Sequence, residues 1–248
     1  EVNKHLGAAN LAKIAHQAGI EEDIAEDTTY NILGINGITV WDLAQGHSTI
    51  ANDGVKNTLH IVDTVLTSDG SKELYKTAQE NQQVFDANDC HLVQKAMQGT
   101  TTYGTAAGVS TRLGRQVAGK SGTANDEKAA SFVGYTPQLL NVWAIWNPAE
   151  DGSAQEVPSF AGYGVSSTGY PSHLFEEFMS LALQNQEVLT FTEPTDNGKI
   201  GGPDGTWGTG AQKTETRQNQ EMPKAEENTE QTTPDPTQNS DQNSGGNG

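Results

Sequence analysis

Apolar side chains recur at helical spacing in three stretches of the chain. These stretches are residues 6–20, residues 40–51 and residues 174–182. Apolar positions three and four residues apart indicate helices that bury one face. Gly19 follows the first stretch as a helix stop, and Pro171 precedes the third at a position typical of a helix start. In the third helix the predicted buried face consists of Leu174, Phe175, Phe178, Leu181 and Ala182.

Between the second and third helices the pattern changes to short extended runs. Residues 60–76 are typical of a hairpin with a Ser-Asp-Gly turn, and residues 90–100 indicate a short helix stopped by Gly99. Residues 116–124 and 131–146 predict three adjacent antiparallel strands, because a proline interrupts the longer run. The last strand is apolar on both faces, so we expect helices on both sides of the sheet. This order indicates an α+β fold.

Composition divides the chain into two parts. Only 33% of the 248 residues are hydrophobic and the mean hydropathy is −0.61, which is too little apolar material for a core along the full length. From Glu193 onward Gly, Thr, Gln, Asn, Pro and Glu dominate, and such a segment cannot offset the entropy of ordering it. We therefore predict a folded domain over residues 1–192 and a disordered acidic tail over residues 193–248.

Charge and cysteine content exclude several function classes. The chain has 14 Lys and Arg against 32 Asp and Glu, so its net charge of −18 opposes binding to nucleic acid or to an anionic membrane surface. No apolar run reaches the ~20 residues that a membrane helix needs. Cys90 is the only cysteine in the sequence, and neither paired cysteines nor an HExxH helix offers a metal site. The sequence predicts neither a metal nor a cofactor.

Chemistry concentrates in residues 119–123, where Lys120 precedes the hydroxyls of Ser121 and Thr123 within a strand. An ammonium and two hydroxyls beside Gly122, which has no side chain to block the backbone, form a good receptor for a carboxylate. A peptide could add to this strand as a further strand and place its C-terminus there. A strand N–H at the edge could also stabilise the oxygen of a tetrahedral intermediate in acyl transfer.

Two other interpretations of this segment stay open on the residues alone. Residues 114–121, GRQVAGKS, satisfy the phosphate-loop pattern G-x-x-x-x-G-K-[ST], although the preceding STRL is a poor strand and the following segment is a weak helix. In the second interpretation the glycines mark a tight strand crossing that binds no ligand. A helix beginning at Lys120 would favour the phosphate loop, and a continuing strand would favour the carboxylate receptor.

A longer pattern adds a family resemblance. VAGKSGTA at residues 117–124, followed by SFVGYTPQLLNVWAIW at residues 131–146, resembles the penicillin-binding transpeptidases. The upstream segment ITVWDLAQGHSTIANDGV and the downstream segment FEEFMSLAL also resemble this family, so the likeness covers about residues 6–190. The resemblance implies a β-lactamase/transpeptidase-like antiparallel sheet that is flanked by helices and incomplete at the N-terminus.

The resemblance also implies a function. Family members are serine D,D-transpeptidases, which cross-link peptidoglycan stem peptides through an acyl-enzyme and are acylated by β-lactams without a cofactor. In that scheme Lys120 and Thr123 are catalytic, the lysine in proton transfer and the Thr123 N–H in the oxyanion hole. Ser121, Gly122 and Thr123 bind the substrate, because the hydroxyls hold its terminal carboxylate and the glycine keeps the strand accessible. Ser121 stands where Thr is commoner in the family, but the hydroxyl is retained.

Two motifs of the family are missing. No lysine has a serine three residues before it and no asparagine has a serine two residues before it, so neither Ser-x-x-Lys nor Ser-x-Asn occurs. We therefore interpret residues 1–192 as the C-terminal half of a transpeptidase domain, inactive alone. The pattern is closer to the bifunctional members, whose membrane anchor lies upstream, which would place the parent protein at the extracellular face of the cytoplasmic membrane or in the cell wall. The alternative is a non-catalytic domain of the same fold that senses peptidoglycan or β-lactams.

Overall fold

The computed structural model describes residues 5–159, 162–163 and 169–196. Its helices are α1 (Ala8–Ala18), α2 (Val40–Ala51), α3 (Ala87–Thr102), α4 (Val109–Leu113) and α5 (Tyr170–Ala182). Its strands are β1 (Val55–Asn57), β2 (Thr64–Leu66), β3 (Glu73–Lys76), β4 (Asn81–Gln83), β5 (Ala118–Thr123), β6 (Ala129–Tyr135), β7 (Leu140–Pro148) and β8 (Ala154–Gln155). Short 3-10 helices cover Thr29–Leu33 and Asn125–Glu127. No helix in these ranges is long and apolar enough to cross a bilayer.

Strands β5 to β8 form one antiparallel sheet in the order β5-β6-β7-β8. Ser121 of β5 stands opposite Phe132 of β6, which in turn stands opposite Trp143 of β7. The three predicted antiparallel strands are therefore confirmed. The predicted hairpin in residues 60–76 is also present, as β2 and β3, with Gly70 of its turn in the left-handed region at a φ of 71°. Strands β1 and β4 pair with each other in a separate two-stranded sheet.

Helices cover the two faces of the main sheet. On one face α5 packs through Phe175 against Phe132, and the two ring centroids lie 5.1 Å apart in an edge-to-face arrangement. On the other face the hydroxyl of Tyr135 donates to the sulfur of Met97 in α3, and its ring meets Phe191 edge to face. Helix α2 packs on the same side as α3. The predicted α+β fold, an antiparallel sheet flanked by helices, is confirmed.

Gly134 in β6 allows the contact between α5 and the sheet. A Cβ atom at this position would stand 2.7 Å from the Phe175 ring and 2.8 Å from the Phe132 ring, well inside van der Waals distance. Only glycine lets the helix approach the strand this closely. This packing explains the glycine of the Phe-Val-Gly-Tyr segment, and it fixes the strand against which β5 pairs.

Helix α3 is longer than the sequence pattern predicts. It begins after Asp86, whose carboxylate accepts a hydrogen bond from the backbone N–H of Asn88, and it runs through Gly99 to Thr102. The prediction that Gly99 stops the helix is wrong. The glycine instead leaves room for a side chain at the end of the same helix, because a Cβ atom there would lie 2.7 Å from the hydroxyl oxygen of Tyr103.

Helix α5 buries a face that differs from the predicted one. Phe175, Met179 and Leu183 are buried, whereas Leu181 is 74% exposed and Phe178 is 44% exposed. Of the predicted stripe, Phe175 is buried and Leu174 is half-buried. The prediction is wrong for the other three residues, which are exposed: Phe178, Leu181 and Ala182. Apolar residues surround most of this helix, and periodicity alone therefore does not select a face. The buried face is determined by the close packing of Phe175 against the sheet.

The predicted tail begins with four residues that the structure describes. Glu193 forms an ion pair with Lys95 of α3 at 2.8 Å. The side chain of Asn88 donates to the Thr195 carbonyl at 2.8 Å and accepts from the Thr195 N–H at 2.7 Å. The start of the predicted tail therefore contacts α3. Residues 197–248 lie outside the described residues, and the disorder assigned to them stays a prediction.

Phe175→Ala is expected to lower the free energy of unfolding by about 3–5 kcal/mol, the usual loss when a buried phenylalanine is truncated. The matched control is Phe178→Ala on the same helix, because that ring is 44% exposed. Its loss should stay below about 1 kcal/mol. Urea unfolding followed by circular dichroism measures both variants. Equal losses would show that α5 does not hold the sheet through Phe175.

Candidate active site

Strand β5 is the edge of the sheet among the described strands, and its two sides differ. The N–H of Ala124 donates to the carbonyl of Ala129, so this residue pair is hydrogen-bonded between the two chains of the hairpin. Hydrogen-bonded pairs alternate along an antiparallel ladder, so the even-numbered residues of β5 also bond to β6. The N–H and C=O groups of Gly119, Ser121 and Thr123 therefore point to the outer side of the strand.

Hydroxyl groups cover the beginning of this outer edge. The Thr101 side chain donates to the carbonyl of Val117 at 2.5 Å, and the N–H of Val117 donates to Ser110 Oγ at 3.2 Å. These hydroxyls come from the end of α3 and from α4, which close over the chain just before β5. Side chains that satisfy the main chain of an edge strand prevent another strand from pairing there. A ligand strand can therefore pair only further along, from Gly119 onward.

The Lys120 side chain lies on the sheet face that α2 and α3 cover, because it shares that face with Ala118 and Tyr135. From there Nζ reaches round the edge and donates to the carbonyl of Ser121 at 2.6 Å. This carbonyl points outward, where an added strand would donate an N–H. The ammonium thus donates to the same carbonyl with which a ligand strand would pair.

Ser121 is the most buried of the four predicted site residues, at 7% exposure. Its Oγ lies 2.7 Å from Oγ1 of Thr105, in the loop between α3 and α4. The two hydroxyls carry two protons and use one between them, so the second is available to a carboxylate. No sequence pattern identifies Thr105, because its loop has no local feature that ties it to β5.

Thr123 ends β5 and is exposed, and one residue separates it from the 3-10 helix that follows. Gly122 lies on the opposite face, where a Cβ atom would meet only the Ser131 hydroxyl, 2.7 Å away. Lys120 shares the face of Gly122, and Ser121 shares the face of Thr123. The predicted site residues are therefore divided between the two faces, and they can meet one ligand only at the strand edge itself.

A histidine that the sequence does not single out lies within electrostatic reach of Lys120. His47 belongs to α2, and its Nδ1 atom is buried with no hydrogen-bond partner among the residues that the structure describes. Burial lowers the pKa of His47 to about 4, and the nearby Lys120 ammonium acts in the same direction. The imidazole is therefore neutral at pH 7. A single histidine on an amphipathic helix is typical of an ordinary packed residue, so the sequence carries no signal for it.

Together these groups have the chemistry to pair with an extended peptide that ends in a carboxylate. Outer main-chain groups can pair with the ligand backbone, and the ammonium and hydroxyls supply the charge and donors that a carboxylate needs. The phosphate-loop interpretation is wrong, because Lys120 lies inside a strand that runs on to Thr123 and no helix begins there. Within the described ranges, no group of three or more His, Cys, Asp and Glu side chains is placed to hold a metal ion.

Comparison with known families agrees with this geometry. The family model for the penicillin binding protein transpeptidase domain matches residues 1–164. The chain belongs to this transpeptidase family. The resemblance to penicillin-binding transpeptidases, which the segments around β5 and β6 indicate from sequence, is therefore confirmed.

Two relatives show how much of a penicillin-binding protein this chain represents. Penicillin-binding protein 1A of Neisseria flavescens is 32% identical over 179 residues, which are 68% of this chain and 21% of the relative. Penicillin-binding protein 1A of Mycolicibacterium smegmatis is 29% identical over 215 residues, which are 79% of this chain and 27% of the relative. The chain thus spans about a fifth to a quarter of these curated relatives.

Solved structures of penicillin-binding proteins share the fold. Penicillin-binding protein PonA1 of Mycobacterium tuberculosis superposes with a TM-score of 0.62 at 26% identity, over 77% of this chain and 54% of that one. Penicillin-binding protein 1A of Haemophilus influenzae superposes with a TM-score of 0.63 at 15% identity, over 77% of this chain and 33% of that one. The predicted β-lactamase/transpeptidase-like fold is confirmed.

The low pKa of His47 predicts that stability depends on pH. The folded chain keeps the imidazole neutral down to about pH 4, whereas the unfolded chain protonates it near 6.5. As the pH falls from 6.5 to about 4, the unfolded state binds the additional proton, so stability falls by up to roughly 3 kcal/mol. Urea unfolding of the wild type and of His47→Asn at several pH values measures this loss. A pH-independent difference between the two proteins would contradict a buried, neutral imidazole.

Proposed function

We propose that this chain supplies the carboxylate-binding strand of a serine D,D-transpeptidase that cross-links peptidoglycan stem peptides through an acyl-enzyme. The observation that carries the proposal is the outer edge of β5, where main-chain groups lie beside the Lys120 ammonium and the hydroxyls of Ser121 and Thr123. A stem peptide is an extended chain with a terminal carboxylate, which is the kind of ligand that such an edge fits.

In this proposal the substrate adds to the sheet as a strand beside β5. The Ser121 and Thr123 hydroxyls hold its terminal carboxylate, the first of them through the proton that the pair with Thr105 leaves available. Gly122 presents no side chain, so the backbone of the strand stays accessible to the substrate. β-Lactams also carry a carboxylate near their reactive amide, and we propose the same edge as their binding site.

Two groups of the strand serve the acyl transfer itself in this proposal. The N–H of Thr123 lies on the outer side of the ladder and stabilises the oxyanion of the tetrahedral intermediate. The Lys120 ammonium stabilises negative charge near the reacting carbonyl and assists proton transfer. Both roles need a strand that is fixed in place, and continuous pairing of β5 with β6 supports that requirement.

The nucleophile, in our proposal, belongs to a longer protein. The sequence contains neither Ser-x-x-Lys nor Ser-x-Asn, and it spans only 21% and 27% of the two relatives compared. A serine transpeptidase without its serine cannot form an acyl-enzyme. We therefore infer that the longer protein carries both motifs and acts at the extracellular face of the cytoplasmic membrane, held there by an upstream segment.

Acetyl-D-alanyl-D-alanine is expected to bind the 248-residue chain at the β5 edge and to shift the amide resonances of that strand in NMR spectra. Lys120→Met should weaken this binding by about tenfold or more, because it removes the positive charge beside the carboxylate of the ligand. Lys128→Met is the matched control, since it removes the same charge from the next turn, where Lys128 pairs with the exposed Asp126 at 3.5 Å. Equal losses for the two variants would contradict a specific role for Lys120.

A second arm of this experiment uses benzylpenicillin and intact mass spectrometry. The chain itself should gain no adduct, because it lacks Ser-x-x-Lys. The longer gene product should gain one penicilloyl group, and an alanine in place of its motif serine should abolish the adduct. A longer protein that has no such motif and binds benzylpenicillin only reversibly would instead indicate a non-catalytic sensor of peptidoglycan or β-lactams.

A further inference from the structure

We propose that His47 is a positioning residue for Lys120. When a peptide adds to the edge of β5, the ammonium leaves the Ser121 carbonyl and donates instead to Nδ1 of His47. This inference rests on the proposed function, because it describes how the same edge receives its ligand. In it, Nδ1 of His47 is the acceptor for the displaced ammonium, and binding of the peptide includes the change from one acceptor to the other.

The first observation behind it is that the edge is occupied by its own side chain. Nζ of Lys120 lies 2.6 Å from the carbonyl oxygen of Ser121, which points to the outer side of the strand. A ligand strand in register with β5 donates an N–H to an outward carbonyl of this kind. The ammonium and the ligand N–H therefore meet at one carbonyl oxygen, and a second acceptor lets the ammonium move aside when the ligand binds.

The second observation is a buried acceptor without a partner. Nδ1 of His47 makes no hydrogen bond to any described residue. Buried polar atoms are nearly always paired, so an exception beside a candidate site calls for a functional explanation. The side-chain nitrogens of Asn141 and Trp143 are also buried and unpaired in the described part of the chain. Both are N–H donors on β7, however, and cannot accept a hydrogen bond from an ammonium.

The position and charge of the two groups allow the exchange. Lys120 leaves the sheet on the face that α2 covers, and His47 lies on α2 close enough for the ammonium to disfavour protonation of the ring. In a neutral ring, the tautomer with its proton on Nε2 presents a lone pair at Nδ1. The flexible four-carbon stem of lysine can swing between the two acceptors. The charge thus stays beside the ligand while the Ser121 carbonyl becomes available.

Nitrogen-15 NMR of the His47 ring in the 248-residue chain tests the exchange without any substitution. Saturation with acetyl-D-alanyl-D-alanine should move the Nδ1 resonance upfield, as for a nitrogen that gains a hydrogen bond. The ring of His173 on α5, across the sheet, should not respond. If the β5 amides respond and His47 does not, this inference is overturned while the proposed function stands. If neither responds, the proposed function fails and the inference fails with it.

Two substitutions distinguish loss of the hydrogen-bond acceptor from loss of the volume of the ring. His47→Leu removes the acceptor and should weaken binding of the dipeptide by roughly tenfold, the loss expected for one hydrogen bond to a charged donor. His47→Asn places an amide oxygen close to the position of Nδ1 and should bind within about threefold of the wild type. Amide spectra verify that both variants are folded. Equal affinities of His47→Leu and the wild type would overturn the inference.

Discussion

The outer edge of β5 is the constraint on which the whole site depends. The N–H and C=O groups of an edge strand need partners, and this strand obtains them differently along its length. Hydroxyls of Thr101 and Ser110 take the main-chain groups of Val117, and the lysine of the strand takes the carbonyl of Ser121. In our proposal a ligand pairs with the outward groups from Gly119 onward, where the lysine shares the Ser121 carbonyl with it. In our proposal, main-chain pairing positions the peptide on this edge, and the groups that bind its carboxylate fix its orientation.

Packing on both faces of the sheet holds that edge in position. Alternate residues of β6 contribute to two cores, with Phe132 on the side of α5 and Tyr135 on the side of α3. Gly134 lets the Phe175 ring lie directly against the sheet. A strand that is bonded along its length to such a neighbour presents its main-chain groups in a fixed geometry. Electrostatic stabilisation of a transition state requires groups that are held in place in advance.

Sequence predicts the parts of this structure that periodicity and local turns determine, namely three helices, the run of antiparallel strands, and the motif-bearing strand itself. The buried face of α5 does not follow, because Gly134 acts on it through a tertiary contact. The length of α3 does not follow either, because the helix continues through Gly99. Thr105 and His47 are also invisible to sequence patterns. Folding alone joins them to the site, one from a loop and the other from a helix, so no linear motif contains them.

Amide hydrogen exchange along β5 tests the open edge most directly. Such an edge predicts an alternation in the chain without ligand, in which the Ser121 amide exchanges faster than those of Lys120 and Gly122, which bond to β6. Addition of acetyl-D-alanyl-D-alanine should then slow exchange at Ser121 and leave its two neighbours unchanged. Uniform protection along the strand before ligand is added, or a ligand that slows none of these amides, would contradict an edge that receives a peptide.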